Sequence, residues 1–344
     1  MQFDPAVPAS AVVVNCNGRE HLELCLTSLL RQSLPGIEVL LVDNHSTDGS
    51  VEFVRQRFGD AVRVLALSSS RGYAHGINAG IQAARGRYIF PLNNDTEVAA
   101  GCVAALVAAA QRLPQVGSFA PKILSFYERD VIDNVGHLFY PDGLSRGRGR
   151  LERDHGQYDR EEEILLASGC ALLLRREMLA DIGLFDEDFF AYCEDTDFGL
   201  RAQLAGWKCW SVPDAVVYHK YSSFWSGNLP MKAFLVERNR TWVAVKCFPL
   251  PLLLLSPLFT LLRLAAQAWG VLGRRGAAGT FAEKHSPREL LGVLARATAA
   301  ALRGLPAAWR KRRRVQHTRR ISTAATFRWI TRYGMGPLEI ALKD

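Results

Sequence analysis

From residue 11 to residue 124 the chain alternates short β-branched runs with stretches whose apolar positions recur at helical spacing, and that rhythm leaves few folds open. Residues 11–14 are followed by Leu22, Cys25, Leu26, Leu29 and Leu30 on one helical face. Residues 37–42 form the next run and end in Asp43. Ser46 or Thr47 then caps a helix whose inner face is Val51, Val54 and Phe58. The pattern predicts strands over 62–67, 87–92 and 116–124, with helices over 73–84 and 99–112 between them. Strands alternating with helices imply an α/β fold with a mostly parallel, Rossmann-like sheet and helices flanking both faces. In such a sheet the polar residues at the carboxyl tips of the strands converge in one crevice. Here those residues are Asn15, Asn17, Asp43 and the run Asn93-Asn94-Asp95.

Two acidic motifs then suggest chemistry. Asp95 closes the apolar run 87–92, where a carboxylate is well placed to hold a divalent cation against a diphosphate. Glu194-Asp195-Thr196-Asp197 follows an aromatic-rich stretch and opens a helix predicted over 195–205. A carboxylate delivered by a later segment can act as the base that activates a nucleophile. Together the motifs point to metal-assisted group transfer from a nucleotide-activated donor. No Gly-x-Gly-x-x-Gly follows the first strand and no Walker-type loop occurs, which disfavours dinucleotide chemistry.

The remaining segments read differently. Residues 125–160 are rich in Gly, Arg and Asp with weak periodicity, which predicts a flexible or hairpin-like loop over the crevice. Residues 164–174 read as one strand interrupted at Ser168-Gly169, and 210–218 as another. After Cys247 the composition shifts. Residues 248–262 are almost wholly apolar but hold Pro249, Pro251 and Pro257, with Arg263 next. That run is short and kinked against the roughly 20 apolar residues a membrane span needs, so an interfacial or re-entrant segment is expected. Residues 290–302 and 307–321 read as two basic amphipathic helices around Arg310-Lys311-Arg312-Arg313-Arg314. Residues 301–344 carry 11 Lys and Arg against 2 Asp and Glu, a net of +9, while the whole chain is +8. The basic excess therefore belongs to the tail, which implies an anionic partner there.

The series 12–17 (Val12 to Asn17), 42–50, Gly76-Ile77-Asn78-Ala79-Gly80, Leu92-Asn93-Asn94-Asp95 and Glu194-Asp195-Thr196-Asp197 resembles a family 2 glycosyltransferase of the GT-A fold. Within it, the Leu-Asn-Asn-Asp version and residues 192–201 are most similar to the rhamnosyltransferase-type branch that builds bacterial surface polysaccharide. The resemblance covers residues 10–245 and implies a role for each matching position. Asp43 reads the nucleotide, with Asn15, Asn17, Asn78, Asn93 and Asn94 lining the nucleotide-sugar site. Asp95 holds Mg²⁺ or Mn²⁺, and His219 completes the metal shell. Asn93 stands where the family often has an acid, so the metal has fewer protein charges and the donor diphosphate finishes its shell. Asp195 is the general base and Glu194 the runner-up, while Asp197 and Arg201 suit a helical ion pair. Trp207 either lines the acceptor side or belongs to the core. Arg238 and Asn239 match a position near the donor phosphates, or form a salt-bridged helix face.

The resulting expectation is a catalytic domain over 1–245, with a nucleotide-sugar half (10–124) and an acceptor half (125–245). A membrane-associated helical region over 246–344 follows. The reaction is inverting transfer from a dTDP-, UDP- or GDP-linked sugar to a glycan or lipid-linked acceptor. A non-catalytic, membrane-attached protein that binds the sugar nucleotide in the same crevice is the alternative. The seven cysteines include no Cys-x-x-Cys pair and suit a reducing cytosol. No basic segment precedes residues 11–14, so no signal peptide is expected. The catalytic part is expected at the cytoplasmic face of the inner membrane, peripheral or re-entrant. The tail's apolar neighbour favours an anionic lipid surface over nucleic acid as its partner.

Overall fold

The first β-branched run becomes β1 (Ala9–Asn15), and every one of its residues is buried. It lies between β2 (Glu38–Asp43) and β4 (Tyr88–Asn93), parallel to both, and β3 (Arg63–Ala66) continues the parallel order beyond β2. This computed structural model describes residues 3–220, 229–273 and 286–343. On the other side of β4 come β11 (Leu173–Arg175), β6 (Val116–Ser125), β12 (Lys208–His219) and the edge strand β10 (Glu162–Ile164). Strands β6 and β12 are parallel, while β10 and β11 run antiparallel to their neighbours. Two short strands, β5 (Thr96–Val98) and β7 (Ile132–Asn134), attach to β12 and β6. The long ladders are therefore parallel, as the βα rhythm predicts.

Alternation along β1 divides the core in two. Ala11 and Val13 point to one face, packed with Leu22, Leu26, Phe90 and Leu106 from β4, α1 (Arg19–Leu30) and α4 (Cys102–Arg112). Val12 and Val14 point to the other, with Ile77 and Ile81 of α3 (Tyr73–Ala83) and Phe198 of α6 (Glu194–Leu204). Burying each such side chain stabilises the fold by about 1.5–3 kcal/mol. Helix α3 lies close to the sheet because of Gly80. A Cβ there would meet Val12 Cγ1 at 2.2 Å and Val42 Cγ2 at 2.8 Å. The remaining helices of this unit are α2 (Ser50–Phe58) and α5 (Arg176–Ile182).

Three predicted segments fold differently. Residues 164–174 are not one strand, because Ser168-Gly169 separates β10 at the sheet edge from β11 between β4 and β6. Residues 125–160 hold β7 and a two-stranded ladder of β8 (His137–Phe139) and β9 (Ser145–Gly147), so the hairpin reading fits. The two basic helices expected in the tail are one, α9 (Pro287–His317), which carries Pro306 inside it.

The chain forms two compact units: Met1–His137, Gly147–Gln203 and Trp207–Phe224 make the first, and Leu138–Arg146, Leu204–Gly206 and Trp225–Asp344 the second. The second unit contains α7 (Leu229–Cys247), α8 (Leu250–Leu272), α9, α10 (Thr323–Tyr333) and α11 (Pro337–Leu342). A charge cluster lies within it. Arg263 of α8, 1% exposed, meets Asp142 at 2.7 Å and Glu237 at 2.8 Å, and Arg240 joins both carboxylates. Arg312, from the middle of the basic run, is also buried. It donates to Val245 O and Phe248 O at the end of α7, so the run is not wholly a solvated patch.

Candidate active site

The registers of β1 bring the strand tips level, with Asn15 opposite Asp43 and Val14 opposite Asn93. A chain of side-chain hydrogen bonds then crosses the tips. Asn94 Nδ2 donates to Asn15 Oδ1 at 2.7 Å, and Asn15 Nδ2 donates to Asp43 Oδ1 at 3.2 Å and Ser46 Oγ at 3.1 Å. Asp43 Oδ2 accepts from the Ser46 N–H, and Asn17 Oδ1 accepts from the Thr47 N–H at 2.7 Å. Asn17 adopts a left-handed conformation (φ 50°), which its short amide tolerates. Gly18 leaves room for Asn94, whose Nδ2 would lie 2.3 Å from a Cβ there. Asn78, on the inner face of α3, uses its amide on Phe185 and Glu187, holding the 185–187 segment rather than presenting an open group.

A second register brings Asp95 and His219 together. Strand β5 pairs with β12 so that Thr96 faces His219, which sets the preceding Asp95 against the imidazole. His219 Nε2 lies 3.3 Å from Asp95 Oδ1, and Nδ1 lies 2.6 Å from Asp133 Oδ2. Arg150 holds the other Asp133 oxygen at 3.1 Å. Burial works against the imidazolium, yet the Cys170 sulfur and the two carboxylates hold its pKa well above the ordinary histidine value. Burial also raises the Cys170 thiol, which is therefore neutral, so the carboxylates are the charges that matter. A divalent cation would replace the proton between Asp95 and His219. Two neighbouring ligands of an octahedral ion with bonds of about 2.1 Å stand roughly 3 Å apart, close to the spacing here. The donor pair fits such an ion. Among the described residues no cluster of three or more His, Cys, Asp or Glu side chains is arranged for a metal, so the rest of the shell falls to other oxygens.

The acidic motif lies at the start of α6. Asp195 Oδ1 accepts from Thr196 N–H at 2.7 Å, and Oδ2 accepts from the Gly169 N–H at 2.9 Å. Glu194 is buried, and burial together with the Asp195 charge pushes its pKa up to about 8. Its Oε2 has no hydrogen-bond partner among the described residues. Glu194 is therefore protonated at neutral pH, beside an Asp195 whose two carboxylate oxygens are each held by a backbone N–H. Asp197 pairs with Arg201 at 2.8 Å, the helical ion pair expected from their spacing. The loop before the motif is strained: Phe190, Tyr192 and Cys193 all have φ between 63° and 66°. Each such residue costs about 1–3 kcal/mol, and strain of this kind gathers at functional sites.

Residues 10–183 match the family described as "Glycosyl transferase family 2". The chain is a family 2 glycosyltransferase. It is 31% identical over 258 residues to an N-acetylglucosaminyl-diphospho-decaprenol L-rhamnosyltransferase of Mycobacterium tuberculosis, covering 67% of this chain and 82% of that protein. Its fold is that of the GT-A-type structures. A mannosyltransferase from Pyrobaculum calidifontis, solved with GDP-Man and Mn²⁺, matches over 89% of both chains at 17% identity and a TM-score of 0.53. GalNAc-T7, solved with UDP, GalNAc and Mn²⁺, matches with a TM-score of 0.57 and 20% identity, over 71% of this chain and 48% of its own.

Several residues of this glycosyltransferase's site were not singled out from the sequence. Ser168-Gly169-Cys170 links the two motifs: Gly169 N–H holds Asp195, the Cys170 sulfur lies beside His219, and Cys170 O accepts from Asn93 N–H. Tyr73 donates to Gly169 O at 3.0 Å and packs, partly buried, on the second core cluster. Asp133 and His137 come from the loop region that periodicity could not place. The break at Ser168-Gly169 was the one available signal. Trp207 packs on the second core cluster and donates its indole N–H to Asp181 at 2.8 Å. Arg238 and Asn239 lie on α7 in the second unit, where Arg238 Nε donates to Asn239 Oδ1 and its guanidinium stacks on Trp242.

Proposed function

We propose that this glycosyltransferase moves a sugar, with rhamnose from dTDP-rhamnose as the first choice, onto a lipid-linked or polysaccharide acceptor during bacterial cell-surface glycan synthesis. The observation that carries the reading is the division between Asp195 and Glu194. The Asp195 side chain, held by two backbone N–H groups, stands beside a buried carboxyl that keeps its proton. The likeness to the mycobacterial rhamnosyltransferase supports the donor sugar and a diphospho-lipid acceptor. Asp43, Asn15, Asn17, Asn93 and Asn94 bind the nucleotide and ribose, with Asn78 holding the adjoining loop.

Asp95 and His219 would hold Mg²⁺ or Mn²⁺. When bound, the ion neutralises the charge that develops on the departing diphosphate. Asp133 orients the His219 ring from behind, as carboxylates do for ligating histidines. The acceptor hydroxyl gives its proton to Asp195 as its oxygen bonds the anomeric carbon. The C–O bond to the diphosphate breaks with its electron pair, which inverts the configuration in one displacement.

Membrane attachment rests on α8 and α9, both long and apolar enough to cross a membrane by length and composition. Helix α8 is inverted relative to a soluble amphipathic helix. Leu254, Leu258, Leu261, Leu262, Trp269 and Leu272 are exposed, while Ser256 and Arg263 are buried. On α9 the exposed stripe runs Leu302, Trp309, Arg310, Arg313, Arg314. Such an apolar face beside arginines suits the anionic cytoplasmic leaflet, with α8 lying in the interface or re-entering it. Thermal stabilisation by a panel of nucleotide sugars with Mn²⁺, followed by transfer assays, tests the donor. No stabilisation by any of them would overturn the proposal.

A further inference from the structure

Two buried polar atoms that lack hydrogen-bond partners among the described residues flank Asp195. One is Glu194 Oε2. The other is His137 Nδ1, 4.0 Å from Asp195 Oδ2, on a side chain only 11% exposed. The imidazole is firmly placed. Gly136 before it has φ +107°, and a Cβ there would lie 2.8 Å from Ile164 Cδ1, so only glycine fits. His137 N–H donates to Leu166 O at 2.9 Å, and three residues later Gly169 N–H grips Asp195 Oδ2. One short segment therefore fixes both side chains. A gap of 4.0 Å is too long for a hydrogen bond. It is the right width for one oxygen atom about 2.8 Å from each side, seen at an angle of roughly 90°. Asp195 Oδ1 is already occupied by Thr196, and Oδ2 has one lone pair left after Gly169.

We propose that His137 Nδ1 and Asp195 Oδ2 together form the seat of the attacking acceptor hydroxyl; this rests on the acceptor-activating role given to Asp195 above. The four directions around the hydroxyl oxygen are then all assigned. One is its own carbon, and its proton points to Asp195 Oδ2. One lone pair accepts from His137 Nδ1–H, and the other faces the anomeric carbon. As the new C–O bond forms, the proton moves to Asp195 and the donor C–O electron pair leaves on the diphosphate. His137 takes no proton in this step. It orients the oxygen so that its free lone pair is in line, which restricts transfer to acceptors whose hydroxyl can reach both groups.

The test uses the full chain with Mn²⁺, dTDP-rhamnose and a short-chain N-acetylglucosaminyl diphospho-lipid. His137→Ala should lower kcat/KM for the acceptor roughly 10- to 100-fold while the donor dissociation constant stays within about twofold. His137→Asn places an amide N–H near Nδ1 and should restore most of the rate. His137→Gln, whose amide lies nearer Nε2, should not. Wild-type transfer by His137→Ala overturns the seat, as does equal loss in all three variants with weakened donor binding, the mark of a purely structural role. A wild type that binds donor but makes no lipid product overturns the acceptor reading instead. Donor hydrolysis, with water in the seat, should then give the same Ala, Asn, Gln ranking, and equal rates there would overturn the seat itself.

Discussion

Gly169 donates its backbone N–H to Asp195 Oδ2 at 2.9 Å, and a Cβ at Gly169 would lie 3.2 Å from both the Cβ and Oδ2 of that aspartate. Asp195 is therefore set by a position with no side chain to spare. Gly169→Ala should push Asp195 by a few tenths of an ångström without exposing core. We expect kcat to fall roughly 10- to 100-fold, since small misplacements of a reacting group cost that much, with donor affinity unchanged. Steady-state kinetics against both substrates checks this; a raised donor KM with normal kcat would contradict it.

Asp195 and Glu194 should separate cleanly by substitution. Asp195→Asn removes the base and should lower transfer about 100- to 10,000-fold while donor binding persists. Glu194→Gln mimics the protonated acid and should keep most of the activity. The pair also sets a pH dependence. Glu194 has its pKa raised to about 8 in the fold, so its contribution to stability is full below the ordinary glutamate value of about 4.3. The contribution is lost as pH rises through the folded value, because the unfolded chain has already released that proton. Denaturation midpoints should therefore decline between about pH 5 and 8 in the wild type and decline less in Glu194→Gln. Parallel curves for the two proteins would sink the assignment.

Much of this arrangement was legible in the chain because it depends on local periodicity. Polar tips of β-branched runs must meet in a parallel sheet, so Asn15, Asp43 and Asp95 could be placed together from pattern alone. The partners of His219 and Asp195 could not. Asp133 and His137 lie on strands of three residues, too short to carry a period, and Gly169 acts through its backbone. The tail helix misled for a different reason. Two helices were expected over 290–302 and 307–321, yet α9 runs unbroken through Pro306, packed along α7 with Trp242 donating to Ala301 O and Gly304 set against the indole. Tertiary packing outweighed the propensity of one residue.

Asp133 gives the metal site its own test. Asp133→Asn keeps the shape but withdraws the charge behind His219, and loss of such an outer partner typically weakens metal binding about 10- to 100-fold. Calorimetry with nucleoside diphosphate and Mn²⁺ should show that drop, with Asp95→Ala abolishing the metal-dependent part altogether. Undiminished Mn²⁺ affinity in Asp133→Asn would remove Asp133 from the site.

The charge cluster of the second unit predicts where the protein is least tolerant of change. Asp142 is completely buried and Arg263 nearly so, and Glu237 and Arg240 complete the group. Removing one partner strands a buried charge, so Asp142→Asn should cost about 3–5 kcal/mol. Replacing the pair with apolar residues of similar size, Asp142→Leu with Arg263→Met, should recover part of that loss, because the desolvation of both ions is relieved. The paired variant still leaves Glu237 beside Arg240, at 2.7 Å, so its charge keeps a partner. Chemical denaturation of the single and double variants measures the difference directly. A double variant no more stable than Asp142→Asn would show that the cluster itself, and not only its balance of charge, holds α8 in place.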